Sequence, residues 1–279
     1  MQTTFTIGGD LEINRLGFGA MRITGEGIWG EPKDREESKR VLKRALELGV
    51  NFIDTSDAYG PYVSEEIIGE TLAPYPSGVV IATKGGLVRP GPNVWNQDAR
   101  PEHIKGAIEG SLKRLKLDRI DLYQLHRIDS KVPLEDTIGA LKELQGAGKF
   151  KHFGLSEVSV AEIEHVRTMI EVTTVQNLYN ISERKHQDVL EYCEKNTIGF
   201  IPWFPLATGE LAKEGGTLDE MAKKHDAAPS QIALAWLLRK SPVMLPIPGT
   251  SSVKHLEENM KGGDIELSEE DFKTLDALH

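Results

Sequence analysis

Four side chains that could take part in proton transfer stand at or just beyond the ends of three predicted strands: Asp54, Tyr59, Lys84 and His126. The pKa of a free phenol is near ~10, which is too high for efficient proton transfer at neutral pH. A neighbouring ammonium lowers that pKa, and a carboxylate bound to the ammonium keeps it charged. The set therefore predicts an acid catalyst in which Tyr59 protonates a substrate oxygen that His126 orients. In this scheme Asp54 holds Lys84 in place.

Taken singly, each of these side chains has a simpler interpretation. A lone lysine at a strand end is more often solvated or salt-bridged, a lone histidine is more often structural, and Tyr59 could simply pack a turn. An acid, a phenol, an amine and an imidazole at consecutive strand ends would, however, meet at one mouth of a closed barrel, which is where such barrels hold their active sites. The combination therefore favours the catalytic interpretation.

Short apolar runs alternate with amphipathic runs along almost the whole chain. The apolar runs predict eight strands, over 14–20, 51–56, 79–84, 121–126, 150–156, 173–178, 199–206 and 243–248. Apolar residues at helical spacing predict helices over 36–48, 101–116, 134–147, 159–170, 184–196, 251–260 and 268–278. Such alternation implies a parallel sheet with right-handed crossovers. Eight units without a change of composition predict an α/β fold, a single (β/α)8 TIM-barrel domain over 1–279, rather than a two-domain dinucleotide-binding protein.

Two segments depart from this alternation. Residues 3–13 alternate in polarity around Gly8-Gly9-Asp10, which predicts a β-hairpin that caps the bottom of the barrel. Residues 85–100 are predicted to form a long loop at the mouth, and loops of that length often form lids or pocket walls.

Composition restricts the classes of partner. The formal net charge of −10 argues against general binding to nucleic acid or to an anionic membrane, since both require a basic surface. Cys193 is the only cysteine, so an intrachain disulfide is excluded, and no metal site is predicted. Residues 1–14 lack the apolar core of a signal peptide, and no run approaches the ~20 apolar residues of a membrane span. We therefore expect a cytoplasmic protein.

The run from Asn51 to Gly60, Asn-Phe-Ile-Asp-Thr-Ser-Asp-Ala-Tyr-Gly, resembles the signature of the aldo-keto reductases. Lys84 and His126 complete the Asp/Tyr/Lys/His tetrad of that family, and the resemblance extends from Leu16 to Leu278. It implies a TIM barrel, a nicotinamide cofactor, and reduction of small aldehydes or ketones. The family usually uses NADP, which we expect here, and NAD is the alternative. Related members include bacterial reductases that act on pyridoxal or small aldehydes.

The resemblance also implies which residues hold the cofactor. Ser156 and Gln176 are expected to bind the nicotinamide carboxamide, and Trp203 to stack on the nicotinamide ring. Further cofactor contacts are expected from Ala20, Met21, Asp54, Glu157, Phe204, Pro205, Leu206, Ala207 and Gly209. After the last strand, the expected contacts to the adenosine 2′-phosphate and the adenine are Gly249, Thr250, Ser251, Lys254, His255, Glu258 and Asn259.

This chain departs from the family pattern at two of these positions. Many relatives have asparagine where Glu157 stands, and a carboxylate cannot donate a hydrogen bond to the oxygen of a carboxamide. Many relatives also have lysine or arginine where Gly249 stands. The positive charge near the expected 2′-phosphate is therefore left to Lys254 and His255.

The substrate pocket is expected to be lined by Trp29 and Trp95 together with Tyr59 and His126. Two alternatives remain at this stage. The potassium-channel β subunits resemble the same family and serve largely as cofactor-binding regulatory partners. A barrel lyase would instead use Lys84 as a neutral amine that forms a Schiff base, although a neighbouring Asp54 would keep the lysine charged.

Overall fold

A computed structural model of the chain describes residues 3–206 and 215–278. Its central element is a curved parallel sheet with the strand order β11-β10-β9-β8-β5-β4-β3. These strands are β3 (Phe18–Gly19), β4 (Phe52–Asp54), β5 (Val80–Gly85), β8 (Ile120–Leu125), β9 (Phe150–Ser156), β10 (Thr174–Leu178) and β11 (Gly199–Trp203). The predicted strands are thus confirmed in order and direction, although β3, β4 and β11 are shorter than predicted.

An extended segment over residues 243–248 closes the sheet into a barrel. Phe200 of β11 hydrogen bonds to this segment through both its N–H and its C=O, each at 2.8 Å. On the opposite edge, the N–H of Gly17 donates to the C=O of Pro246 at 2.9 Å. Pro246 and Pro248 have no N–H to donate, so the segment forms only isolated ladder contacts. The eighth unit and the (β/α)8 fold are therefore confirmed.

Helices surround the sheet. Their bounds are α1 (Arg35–Glu47), α2 (Val63–Leu72), α3 (Pro101–Leu115), α4 (Leu134–Gly146), α5 (Val160–Arg167), α6 (Gln187–Asn196), α7 (Thr217–Lys224), α8 (Pro229–Lys240), α9 (Val253–Met260) and α10 (Glu269–Asp276). In α1, the apolar residues Val41, Leu42 and Ala45 that predicted the helix are fully buried. No helix in the described part of the chain is both long enough and apolar enough to cross a membrane.

Three of these helices, α2, α7 and α8, were not predicted from the sequence. In α8 every residue from Gln231 to Leu238 is buried, so the segment has no polar face to give a periodic pattern. The same holds in part for α2, which buries Ser64 and Glu65 along with its apolar residues.

The N-terminal hairpin pairs β1 (Thr4–Ile7) with β2 (Leu11–Asn14) and covers the amino ends of the barrel strands. Its turn residue Asp10 contacts the start of β9, where its carboxylate lies 2.7 Å from Nε2 of His152. The predicted cap at the barrel bottom is confirmed.

The segment predicted as a loop over 85–100 is largely a second hairpin. Strands β6 (Leu87–Gly91) and β7 (Val94–Gln97) pair antiparallel, with a register shift between Val88 and Gly91. The prediction of a loop was therefore wrong for residues 87–97. Pro90 and Gly91 end the first strand of this hairpin, and Pro92 and Asn93 form its turn.

Candidate active site

A cavity of about 1060 Å³ opens at the carboxyl ends of the barrel strands. Asp54, Tyr59 and His126 line it, and Lys84 lies behind them with no exposed surface. The structure thus brings the four side chains together at the end of the barrel that the sequence indicated.

Lys84 and Asp54 form a buried ion pair. The ammonium of Lys84 donates to Oδ2 of Asp54 at 2.6 Å and to the C=O of Thr55 at 2.8 Å. Its third short contact is to the hydroxyl oxygen of Tyr59, at 3.5 Å. Burial alone would lower the pKa of Lys84, but the Asp54 carboxylate and the Tyr59 oxygen outweigh it and raise that pKa. Lys84 is therefore held as an ammonium.

Two glutamines hold the second oxygen of Asp54. The side-chain amides of Gln124 and Gln176 each donate to Oδ1 at 3.0 Å. Gln124 was not predicted from the sequence; its only signal is an amide inside the apolar run 121–126. The amide nitrogen of Gln176 is bound to Asp54, so only its oxygen is left for the carboxamide contact expected of it.

Tyr59 keeps its proton more firmly than a free phenol does. Burial raises the pKa of Tyr59, and the neighbouring Lys84 opposes that rise without reversing it. The sequence predicted a lowered pKa because it showed the ammonium but not the burial of the phenol oxygen. Tyr59 is therefore a neutral phenol, the form that can donate a proton.

His126 is held from behind by Ser56. Its Nδ1 lies 3.1 Å from the hydroxyl oxygen of Ser56, and its ring meets the Tyr59 ring edge-on at a centroid distance of 6.0 Å. Burial lowers the pKa of His126 well below its ordinary value, and the charges of Lys84 and Arg127 lower it further. The ring is therefore neutral. If the Ser56 hydroxyl donates to Nδ1, Nε2 carries the hydrogen that can reach a substrate oxygen.

Arg127, which was not predicted from the sequence, also lines the cavity. Its Nη1 donates to the C=O of His126 at 2.5 Å and to the hydroxyl of Ser156 at 2.9 Å. Ser156 itself lines the cavity, as expected of a cofactor contact. The signal for Arg127 was its place directly after the strand-end histidine.

Glu157 does not line the cavity itself, but it hydrogen bonds to Trp203, which does. Its Oε1 accepts hydrogen bonds from the indole N–H of Trp203 at 2.6 Å and from the N–H of Leu178 at 2.7 Å. Trp203 lines the cavity, whereas Glu157 does not. The carboxylate that departs from the family pattern thus holds the aromatic ring expected to stack on the cofactor.

Glycines form one end of the cavity. Gly19 and Gly249 both line it, as does Met21, while Ala20 is fully buried outside the lining. A Cβ on Gly249 would lie 2.7 Å from the C=O of Gly19 and 3.5 Å from Cγ of Arg22. No longer side chain fits at position 249 with this backbone, and Arg22 is the cation packed beside it.

The start of α9, where the 2′-phosphate was expected, is already partly occupied by side chains. The N–H of Ser252 donates to Oγ1 of Thr250 at 3.1 Å, and the N–H of Val253 donates to Oε1 of Glu37 at 3.1 Å. Glu37, on α1, was not predicted as a site residue. A carboxylate therefore stands at this helix start.

The other residues expected near the phosphate and adenine lie along α9. Ser251, Lys254 and His255 are exposed, and Nζ of Lys254 lies 3.8 Å from the carboxylate of Glu258. Asn259 is buried. Along the other edge, Phe204, Pro205 and Leu206 line the cavity, and Ala207 and Gly209 lie outside the described residues.

The two tryptophans expected at the substrate pocket enclose one arginine. The guanidinium carbon of Arg89 lies 3.5 Å from the centroid of the Trp95 ring and 5.5 Å from that of Trp29. Trp95 lines the cavity, but Trp29 does not. Arg89 also donates to the C=O groups of Ile28 and Ala58, at 3.0 and 3.1 Å. In the described residues, no group of three His, Cys, Asp or Glu side chains is placed to hold a metal ion.

Comparison with known proteins agrees with this arrangement. Residues 15–279 match the model of the aldo/keto reductase family, and the chain belongs to that family. It is 54% identical over 268 residues to an uncharacterized oxidoreductase of Schizosaccharomyces pombe, covering 96% of this chain and 87% of that protein. It is 42% identical over 281 residues to pyridoxine 4-dehydrogenase of Escherichia coli, covering 99% and 98%.

Among solved structures, an aldo-keto reductase from Klebsiella pneumoniae in complex with NADPH has a TM-score of 0.86 and 27% identity, covering 100% of this chain and 95% of that one. The protein is therefore an oxidoreductase with the aldo-keto reductase fold.

Proposed function

We propose that this enzyme reduces aldehydes or ketones to alcohols with NADPH, and that Tyr59 is the general acid. The observation that carries the proposal is the placement of Tyr59, as a neutral phenol in the cavity wall, 3.5 Å from a buried and charged Lys84. An acid of this kind has a use only where negative charge develops on a nearby oxygen.

The cavity has room for a large ligand such as a dinucleotide. Its volume of about 1060 Å³ lies at the upper end of the roughly 300–1,000 Å³ typical of ligand pockets. Gly19 and Gly249 line one part of the cavity, where the lack of a side chain lets the two backbone segments pack closely. Ser156 and Trp203 also line the cavity. A reduced nicotinamide bound there would supply the hydride, with Trp203 against its ring and Ser156 at its carboxamide.

The side chains of the enzyme supply the proton and the orientation. His126 and Tyr59 would both donate hydrogen bonds to the carbonyl oxygen of the substrate. These two bonds would fix the orientation of the carbonyl group, and so determine which face of its carbon meets the hydride. As negative charge grows on the oxygen, Tyr59 gives up its proton and the Lys84 ammonium stabilises the resulting phenolate. Asp54, held by its two glutamines, keeps the ammonium aimed at Tyr59.

The Schiff-base alternative does not fit the geometry. Lys84 is fully buried, lies outside the cavity lining, and is held as an ammonium by Asp54. A lyase would require a neutral amine open to the substrate. A regulatory subunit that only binds the cofactor would not require the Lys84–Asp54 ion pair or the two glutamines that support it. The presence of the complete site therefore favours an enzyme that turns over substrate.

The substrate class follows from the relatives and the cavity. The 42% identical protein is a pyridoxine 4-dehydrogenase, which makes pyridoxal and other small aldehydes the first compounds to try.

The first experiment is a titration of the protein with NADPH and, separately, with NADH. Quenching of tryptophan fluorescence reports binding. Saturable binding followed by NADPH oxidation in the presence of pyridoxal or benzaldehyde is expected. A folded protein that binds neither nucleotide would overturn the proposal.

A further inference from the structure

Arg127 is a cation in the cavity wall that the catalytic scheme does not use. Its contacts to the C=O of His126 and the hydroxyl of Ser156 both come from Nη1. Neither Nε nor Nη2 hydrogen bonds to any residue within 3–206 or 215–278, and within those ranges no carboxylate lies within 4 Å of the guanidinium. Within those ranges, three of its five N–H donors thus have no protein acceptor and can bind a ligand.

The guanidinium of Arg127 loses part of its solvation in the cavity wall, and an anion bound beside it would compensate for that loss. Burial lowers the pKa of Arg127, with Glu157 and Tyr59 opposing that effect from a distance. A guanidinium nevertheless stays protonated in proteins, so the charge remains in the wall. An anionic ligand would recover the lost solvation of this charge through two parallel hydrogen bonds.

The balance of charge in the cavity wall points the same way. The two carboxylates of the lining, Asp54 and Asp98, are each paired with a cation outside it, at 2.6 and 2.8 Å. The lining cations Arg22, Arg127 and Lys131 have no such partner among the described residues. The described part of the wall is therefore positive, although the chain as a whole carries a charge of −10.

Two of these cations, Arg22 and Arg127, lie in different parts of the cavity. Arg22 packs beside Gly249, at the end that the proposed cofactor would occupy. Arg127 follows His126 directly in the chain and hydrogen bonds to its C=O, so it adjoins the group that would orient the substrate carbonyl.

We propose that Arg127 binds an anionic oxygen of the substrate, so that the preferred substrates are carbonyl compounds with a carboxylate or an ionised phenol close to the carbonyl group. This inference rests on the proposed function and specifies its substrate class. The chemistry of recognition is the same for both anions, because a carboxylate and a phenolate each accept hydrogen bonds from a guanidinium.

Matched substrates test the inference in the wild-type enzyme with NADPH. The carboxylate pair is 3-formylbenzoate and its methyl ester. The phenolate pair is salicylaldehyde, at a pH where its phenol is ionised, and 2-methoxybenzaldehyde. We expect kcat/KM to be roughly tenfold to hundredfold higher for the anion of at least one pair, as loss of a hydrogen bond to a charged group would give. The pair that shows the preference identifies the source of the anion.

Arg127→Met should bring that ratio close to one, and Arg127→Lys should leave part of it. Arg22→Met is the matched control, because it removes an unpaired lining cation at the other end and should leave the ratio at its wild-type value. A readout without turnover is the thermal stabilisation of the NADP-loaded protein by benzoate compared with benzamide, which Arg127→Met should abolish.

A wild-type ratio near one for both pairs would overturn the inference, as would a ratio that survives in Arg127→Met. In both cases reduction of the uncharged aldehydes would leave the proposed function standing. Absence of NADPH binding and of any carbonyl reduction would instead overturn the proposed function, and the inference with it.

Discussion

The indole nitrogen of Trp203 lies 2.6 Å from Oε1 of Glu157, and the same oxygen accepts the backbone N–H of Leu178. One carboxylate therefore ties the end of β11 to the end of β10 across the edge of the barrel. The backbone of Glu157 adopts a left-handed conformation with φ of +56°, which is uncommon for a residue other than glycine. The geometry assigns Glu157 the task of fixing the Trp203 ring.

Glu157→Ala should weaken NADPH binding and lower stability. The variant leaves the Trp203 N–H and the Leu178 N–H without an acceptor, which costs about 1–3 kcal/mol. Nucleotide titration and urea unfolding measure the two effects. Glu157→Gln keeps an acceptor oxygen and should lie closer to the wild type. If Glu157→Ala bound NADPH as tightly as the wild type, the ring would not depend on this contact.

Tyr59→Phe should separate binding from catalysis. Loss of the phenol removes proton donation in the transition state, so kcat should fall by roughly 10²–10⁴-fold while the NADPH affinity changes little. Steady-state kinetics and fluorescence titration on the same sample measure both. Normal reduction of carbonyls by this variant would show that another group donates the proton.

Glu37→Gln should shift cofactor preference towards NADPH. The Glu37 carboxylate accepts the N–H of Val253 at the start of α9, where we expect the 2′-phosphate, and the two negative charges repel. The ratio of NADPH to NADH affinity should rise by about threefold to tenfold. Glu36→Gln is the control, since Glu36 carries the same charge and, among the residues that the structure describes, forms its ion pair with Lys39. An equal effect of both substitutions would show that the 2′-phosphate binds elsewhere.

The buried neutral ring of His126 should make the fold acid-sensitive. Since the pKa of His126 is lowered on folding, the unfolded chain binds the proton more readily. The contribution of His126 to stability is thus complete above about pH 6.5 and is lost as the pH falls below it, by up to about 1.4 kcal/mol per pH unit. His126→Asn should lose less stability than the wild type between pH 6.5 and 5.5 in urea unfolding. Equal losses would mean that His126 titrates alike in both states.

The sequence allowed prediction of the barrel and of the side chains that meet at its mouth, for a physical reason. Strands buried on both faces read as continuous apolar runs, and polar residues at their carboxyl ends lie where barrel enzymes hold their active sites. Lys84 and His126 were visible because each ends such a run. The carboxyl ends of neighbouring parallel strands then bring them together without any further information.

What the sequence did not reveal depends on contacts between distant segments. Glu37 reaches Val253 across 216 positions, and Gln124 reaches Asp54 across 70, so neither has a local signal. The pKa of Tyr59 was predicted in the wrong direction because the depth of burial is set by the whole assembly. Arg127 stands next to His126 in the sequence, but only the structure shows that it lines the cavity and has no carboxylate partner among the described residues.

The sandwich of Arg89 between Trp29 and Trp95 has a consequence for the cavity mouth. Arg89 lies on the hairpin that carries Trp95, and it is hydrogen-bonded to Ile28, beside Trp29, and to Ala58, beside Tyr59. The hairpin, the loop before α1 and the turn bearing the phenol thus share one guanidinium as their common support. Trp29 lies outside the cavity lining, yet through Arg89 it is linked both to Trp95 in the cavity wall and to Ala58, next to the acid Tyr59. We therefore expect a substitution at Trp29 to affect the shape of the entrance and the placement of Tyr59 together.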